Sequence, residues 1–240
     1  MANYVYHPAD SRGTVDHGWL HSKHSFSFGS YYNAERTNFG VLRVLNDDQV
    51  AAGAGFGKHP HDNMEIISIP LSGALTHQDN MGNGSTIEKG NIQVMSAGTG
   101  IQHAEFNASQ TEEVKFLQIW VIPNQRNVEP RYQETRIFWS KAKNDFLTIL
   151  SPHKIEDIAW IHQDAYFSLG DFDSNFEKEY TLYDEAHGVY VFVLSGKIEI
   201  DGQVLDSRDG LGISNTDKFT IKALSNAEFL LMEVPLQITN

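Results

Sequence analysis

The feature that most restricts the fold of this chain is a succession of short apolar segments, each followed by a turn signal. Residues 39–45, 65–71 and 114–122 are three such segments, and asparagine, serine with glycine, and proline follow them in turn. Many short strands at close spacing are typical of β-barrels and β-sandwiches. The pattern therefore predicts an all-β chain, in which residues 109–113 and 155–160 form at most single turns of helix.

An internal repeat indicates that the strands form two similar units. Residues 69–75 resemble residues 192–198 when Gly73 is aligned with Gly196, and the likeliest linker between the units is residues 124–133. Under this alignment His59 and His61 fall on Leu182 and Asp184. When Gly90 is aligned with Gly210, His103 and Glu105 fall on Ala223 and Ser225, so the second half lacks these candidate ligands. The repeat therefore predicts that only the first unit can bind a metal.

Composition excludes several classes of function. The 240 residues include no cysteine, which removes thiolate catalysis, cysteine zinc sites and disulfides. Aspartate and glutamate number 31 against 18 lysines and arginines, a net charge of -13, so direct binding of nucleic acid is not expected. The N-terminal residues lack a signal-peptide pattern, and no apolar run is long enough for a membrane span. We expect a cytoplasmic protein without membrane contact.

Two pairs of potential metal ligands stand out. His59 and His61 are two residues apart, and so are His103 and Glu105. On an extended strand, side chains at i and i+2 point to the same face, so two facing strands would direct three imidazoles and one carboxylate at a common point. Such ligands suit a divalent transition metal, and four of them leave coordination positions open for a reactant.

Other polar residues offer alternatives. Glu65 follows His61 by four residues, so a regular strand would also turn it inward, as a ligand or as a residue supporting the site. One of His17, His21 and His24 could line a pocket. His77 is expected only to satisfy a turn or a hydrogen bond, as is His187, and the remaining histidines are expected at the surface or in loops.

The sequence around these pairs resembles the pirin family of the cupin superfamily. The resemblance covers about the first 135 residues and rests on these segments: Gly57-x-His59-Pro60-His61-x-x-Met64-Glu65-Ile66, Ser96-Ala97-Gly98-Thr99-Gly100-Ile101-x-His103-x-Glu105, His17-Gly18-Trp19-Leu20, Phe26-Ser27-Phe28, His77-Gln78-Asp79 and Pro130-Arg131-Tyr132. The general cupin spacing of histidine and asparagine is kept at His103 and Asn107. Ser96 replaces the proline of many cupins.

The resemblance implies a fold and a ligand set. Pirins are bicupins, with two stacked antiparallel jelly-roll barrels in one chain and a metal only in the first. By resemblance, residues 1–134 would form the metal-bearing barrel and residues 135–240 a barrel without ligands. The ligands would be His59, His61, His103 and Glu105. Fe(II) is the metal expected, with Mn, Ni, Co, Cu and Zn left open.

The resemblance also implies two alternative functions. Some pirins act as quercetin 2,3-dioxygenases, which would make this chain an enzyme for a flavonol-like aromatic substrate and dioxygen. Glu105 would then be the catalytic base that accepts the proton of the substrate hydroxyl. The alternative is a non-catalytic, iron-binding regulatory protein that docks on a protein partner.

Overall fold

The computed structural model describes residues 2–238 and consists almost entirely of strands. The strands are β1 Asn3–His7, β2 Gly13–Asp16, β3 Leu20–His24, β4 Leu42–Val50, β5 Gly55–His61, β6 Glu65–Ser72, β7 Ala74–Asp79, β8 Gly84–Glu88, β9 Asn91–Ser96, β10 Ile101–Asn107, β11 Val114–Val121, β12 Arg131–Arg136, β13 Phe146–Ser151, β14 Ala159–Trp160, β15 Tyr166–Phe172, β16 Glu177–Thr181, β17 His187–Ser195, β18 Lys197–Ile200, β19 Gln203–Asp206, β20 Gly210–Ser214, β21 Lys218–Ala223 and β22 Ala227–Pro235. Two short 3₁₀ helices span Ala9–Ser11 and Trp139–Ala142. Within residues 2–238, no helix has the length and apolar character needed to cross a bilayer.

The two predicted helical turns are wrong. At residues 109–113 the Ser109 hydroxyl accepts hydrogen bonds from the backbone N–H groups of Thr111 and Glu112, which forms a side-chain turn in place of a helix. Residues 155–158 form a turn that leads directly into β14.

The strands form two units of the same topology. The first pairs a seven-stranded sheet, β12-β9-β6-β11-β4-β3-β2, with a four-stranded sheet, β5-β10-β7-β8. The second pairs β1-β20-β17-β22-β15-β13-β14 with β16-β21-β18-β19. The predicted all-β architecture of two units is confirmed, and their strands pair antiparallel except for the short β13–β14 pair. Each unit is a sandwich of two sheets and not a closed barrel.

The two seven-stranded sheets pack against each other through their outer faces. On β11, Leu117 and Ile119 belong to the same buried cluster as Phe192 and Leu230 of the second unit. Their neighbour Phe116 points the opposite way, into the interior of the first unit. Because side chains alternate along a strand, each large sheet contributes one face to the shared core and the other to the interior of its own unit.

Two edge strands show where the units begin and end: β1 belongs to the second unit and β12 to the first. β1 pairs with β20, with Asn3 opposite Ser214, and so belongs to the second unit. β12 pairs with β9 of the first unit, so the predicted boundary between residues 134 and 135 falls inside β12. Alternation of apolar and polar residues predicts that a segment is a strand but not which strand it pairs with. The pairings of β1 with β20 and of β12 with β9 could therefore not be predicted from the sequence.

Contacts of β1 should contribute measurably to stability. His7 and Tyr190 are both buried, and His7 Nδ1 lies 2.9 Å from the Tyr190 hydroxyl. We expect Tyr190→Phe to lower the free energy of unfolding by about 1–3 kcal/mol, because it leaves a buried nitrogen without its partner. Urea denaturation measures the change. Tyr32→Phe at an exposed position is the control, and equal stability of the two variants would contradict the expectation.

Acid should destabilise the protein through the same histidine. Burial, helped by Arg36, lowers the pKa of His7 from 6.5 to about 4, so the folded state holds the ring neutral. In the unfolded chain His7 binds a proton below about pH 6.5, whereas in the folded protein it does so only below about pH 4. The contribution of neutral His7 to the free energy of unfolding is therefore complete above pH 6.5 and is lost as the pH falls to about 4.

For this group alone the slope is about 1.4 kcal/mol per pH unit. We expect the His7→Asn variant to show a flatter dependence of unfolding free energy on pH between 4.5 and 6.5 than the wild type. Urea denaturation of metal-free protein across that range checks this, and parallel curves would disprove it.

Candidate metal centre

Two paired strands bring the predicted ligands together. β5 and β10 run antiparallel with His59 directly opposite His103, and Glu105 lies opposite Phe56 after a register shift. The ring centroids of His59 and His103 are 4.4 Å apart, and that of His61 lies within 4.9 Å of both. One ligand nitrogen from each of the three rings lies within 4.8 Å of the other two.

Glycines permit this close approach. A Cβ atom at Gly55 would lie 2.4 Å from the backbone oxygen of Glu105, so only glycine lets β5 pack against β10 at this point. Gly98, in the loop before β10, has a φ of +49° and lies against the backbone of Val128, where a Cβ would be 2.1 Å from its oxygen. Both positions therefore require glycine.

His103 is the centre of the group. It is 1 % exposed, and neither ring nitrogen has a hydrogen-bond partner among the described residues. Burial lowers its pKa to about 2, with His59 and His61 adding to the effect, and burial lowers the pKa of His61 to about 4. These rings are neutral at pH 7 with free lone pairs, the form that binds a metal. The residues present therefore fit a divalent transition metal.

Glu105 is fully buried beside His103. Its carboxylate accepts hydrogen bonds from Ser68 Oγ at 3.2 Å and from Gln118 Nε2 at 2.9 Å. Burial nevertheless raises its pKa above the ordinary value. Glu105 shares a ligand-distance group with His103 and His77, whereas His59 and His61 share a separate group with His103. His103 thus belongs to both groups, and the other three predicted residues, His59, His61 and Glu105, lie around it.

His77 is the residue that sequence reasoning missed. It lies on β7 opposite Glu105, is fully buried, and stacks on Tyr132 with the centroids 4.7 Å apart. Its Nε2 lies 3.3 Å from Asp79 Oδ2, while Nδ1 has no partner within the described chain. The available signal was a third i, i+2 pair on a strand, formed by His77 and Asp79.

Glu65 does not join either group. It accepts a hydrogen bond from Ser96 Oγ at 2.6 Å, and His162 Nδ1 lies 3.2 Å from its other oxygen. The even offset from His61 is misleading, because the strand ends at His61 and Asn63 has a φ of +44°. β6 then begins in the other sheet, where Glu65 links the first unit to a loop of the second.

The second unit contains one cluster of comparable residues. Ligand atoms of Asp164, Asp184 and His187 lie within 4.8 Å of one another. His187 Nδ1 lies 3.1 Å from Glu233 Oε1, and its pKa is raised: burial opposes the charged form, but the hydrogen bond to Glu233 and the nearby carboxylates outweigh it. A network of ion pairs accounts for this arrangement, and a second unit without metal ligands stays a prediction.

Opposite the metal-type ligands, a row of polar side chains crosses the seven-stranded sheet. We call it the polar row; its members occupy directly paired positions on six neighbouring strands: His24, Asn46, Gln118, Ser68, Gln93 and Glu134. Paired positions share one face of a sheet. Gln118 and Ser68 contact Glu105, so this face points into the interior of the first unit.

The entrance lies on the side of His61. His59 and His61 are half-buried, so solvent reaches both rings, whereas an open groove of about 500 Å³ lies on the outer face of β5 and β10, along Pro60 and Gln102. Trp120 packs edge-on against His61 with the centroids 5.0 Å apart. A small molecule therefore has a route to the ligand side chains from solvent.

Comparison with known proteins agrees with this geometry. Residues 6–121 match the family model described as Pirin, and residues 148–234 match the model described as Quercetinase C-terminal cupin domain.

Relatives match over nearly the whole chain. A quercetin 2,3-dioxygenase from Escherichia coli K12 is 38 % identical over 227 residues, 95 % of this chain and 96 % of that protein. A pirin-like protein from Caulobacter vibrioides is 39 % identical, covering 94 % of this chain and 97 % of its own. The crystal structure of the bacterial pirin YhhW from Escherichia coli with nickel(II) superimposes with a TM-score of 0.92 at 36 % identity, over 98 % of this chain and all of that one. The chain belongs to the pirin family.

Proposed function

We propose that this protein is a metal-dependent dioxygenase that opens a flavonol-type aromatic substrate, as a quercetin 2,3-dioxygenase does. The observation that supports this most directly is the group of imidazoles around the buried, unpartnered His103, with the carboxylate of Glu105 beside it. The name of the Escherichia coli relative supplies the substrate class.

We propose that His59, His61, His103 and Glu105 hold a single divalent metal. Imidazole and carboxylate suit iron(II), which is our choice for the native ion. The nickel(II) in the structure of the Escherichia coli pirin does not decide this, because nickel binds such sites more tightly than iron whatever the cellular metal. A ring nitrogen of His77 lies within 4.8 Å of a carboxylate oxygen of Glu105, and His77 is not among the proposed ligands.

In this proposal Glu105 also acts as the base. When bound, the metal would supply Lewis acidity toward the substrate hydroxyl. Glu105 accepts the proton of that hydroxyl as a general base. Gln118 and Ser68 hold one oxygen each, which fixes the direction of the carboxylate. Trp120 covers His61 and limits water beside the ligands.

The regulatory alternative and the location stay predictions. Neither the fold nor the names of the three relatives above points to a protein partner. A protein that binds the metal tightly yet turns over no flavonol with iron, manganese, nickel, cobalt or copper would favour the alternative. The cytoplasmic location rests on the sequence alone.

Metal content tests the ligand set. We expect His103→Ala to reduce bound metal to below about a tenth of the wild-type amount, because it removes the residue common to both groups of ligand atoms. Glu65→Gln is the matched control, since Glu65 is equally buried but bonds to Ser96 and His162. Elemental analysis of both purified variants provides the measurement. Loss of metal in the Glu65 variant, or its retention without His103, would refute the assignment.

Turnover of quercetin tests the activity. Metal-loaded protein mixed with quercetin without oxygen should show no loss of the flavonol absorption band, which should then decay when air is admitted. We expect Glu105→Gln to slow the decay about 100-fold or more, within the usual range for removal of a general base. Asp164→Asn in the second unit is the control. Unchanged turnover in Glu105→Gln would exclude Glu105 as the base.

A further inference from the structure

A cavity that opens to solvent lies beside the candidate metal centre in the first unit. Its volume is about 290 Å³, and its mouth is bordered by the exposed residues His17, Gly29 and Ser30. The walls are apolar and the floor is polar. Trp19, Phe28 and Phe56, with Val15 and Leu20, form the walls, and the floor consists of Ser22, His24, Asn46 and Asp48.

The cavity and the metal centre share one interior. Asn46 on the cavity floor is the direct cross-strand neighbour of Gln118, which donates to Glu105. Directly opposed side chains in an antiparallel sheet lie about 5 Å apart at Cβ. On the other side, Phe28 of the wall packs against Trp120 at 5.2 Å, and Trp120 packs against His61. A ligand bound at Glu105 can therefore extend into this cavity.

The floor presents polar atoms without partners. Asn46 is 2 % exposed and His24 is 4 % exposed, and neither Asn46 Oδ1 nor His24 Nδ1 has a hydrogen-bond partner within residues 2–238. Each such buried atom destabilises the folded protein if nothing bonds to it. Asp48 differs, because the Ser22 hydroxyl donates to it. Both residues line the cavity, but these two atoms are shielded from it, so a ligand in the cavity meets the remaining polar edge of each side chain.

The chemistry of the lining restricts that partner. Three aromatic walls favour a flat, apolar ring. Burial lowers the pKa of His24 to about 4, so its ring carries no charge at pH 7 and does not attract an anion. A hydroxyl group both donates and accepts, so it can hydrogen-bond to the side-chain amide of Asn46 whichever of its two polar atoms faces the cavity. A volume near the lower end of the roughly 300–1,000 Å³ of ligand sites suits one ring of a larger molecule.

We infer that this cavity is a recognition subsite for a hydroxyl-bearing aromatic ring of the substrate, whose O–H groups hydrogen-bond to Asn46 and His24. The inference rests on the proposed function for the identity of the substrate. It adds that His24 and Asn46 determine specificity: they discriminate flavonols that carry ring hydroxyls from flavonols that lack them. Glu105 and the histidine ligands contact the other end of the molecule.

Binding of two flavonols to the same protein tests this. Quercetin carries hydroxyls on its outer rings, and 3-hydroxyflavone keeps only the hydroxyl next to the carbonyl. Dissociation constants are measured by calorimetry on nickel-loaded protein without oxygen, so that no turnover is required. We expect the wild type to bind quercetin at least about tenfold more tightly, and Asn46→Leu to reduce that preference about fivefold, the effect of one neutral hydrogen bond. His24→Phe should reduce it similarly.

Gln93→Leu is the matched control. Gln93 belongs to the same polar row, is fully buried, and also has unpartnered amide atoms, but it does not line the cavity. We expect its preference for quercetin to equal that of the wild type. Thermal denaturation and metal content of each variant verify folding. If Asn46→Leu does not fold, His24→Phe and the wild-type preference still decide.

The outcomes separate this inference from the proposed function. Equal affinity of the wild type for both flavonols, or no binding of either, would overturn the subsite. So would an equal loss of preference in Gln93→Leu, which would point to general disturbance of the interior. Selective binding without turnover in air would instead refute the dioxygenase proposal and support the subsite. Normal turnover together with an unchanged preference in Asn46→Leu and His24→Phe would support the dioxygenase proposal and overturn the subsite.

Discussion

The candidate metal centre depends on the register between β5 and β10. His59 lies opposite His103, and this single pairing directs the rings of both strands into the space between the two sheets. A shift by one residue would turn every side chain of one strand to the opposite face. Gly55 permits the close approach at Glu105, and the loop at Gly98 sets where β10 begins. Backbone requirements at two glycines therefore fix the position of the ligand side chains.

The two units divide stability and chemistry between them. Within residues 2–238, buried polar atoms without hydrogen-bond partners occur on nine residues, and six of these lie in the interior of the first unit: His24, Asn46, His77, Gln93, His103 and Trp120. The interior of the second unit is an apolar cluster that includes Phe172, Val191 and Phe229. Unsatisfied interior groups reduce stability, and functional sites commonly tolerate them. The apolar core between the two large sheets, together with the second interior, offsets that cost.

The sequence predicted the grouping of His59, His61 and Glu105 with His103 better than it predicted the residues around that group. His59, His61, His103 and Glu105 could be recognised because the period of two along a strand is a local property. His77 went unrecognised because its closeness to His103 comes from the pairing of β7 with β10, which sequence spacing does not contain. The offset from His61 to Glu65 failed for the opposite reason, since a break in the strand cancelled the period. Likewise, side-chain hydrogen bonds at Ser109 replaced the expected helical turn.

The exchanged edge strands have a consequence for how the protein is made. Asn3 is synthesised more than two hundred residues before its partner Ser214. At about 5–20 residues per second, β1 waits on the order of ten to forty seconds before its place in the sheet exists. Until β20 has been synthesised, β1 therefore lacks its strand partner, while the rest of the first unit can already fold. The pairing of β1 with β20 can therefore form only after β20 has been synthesised.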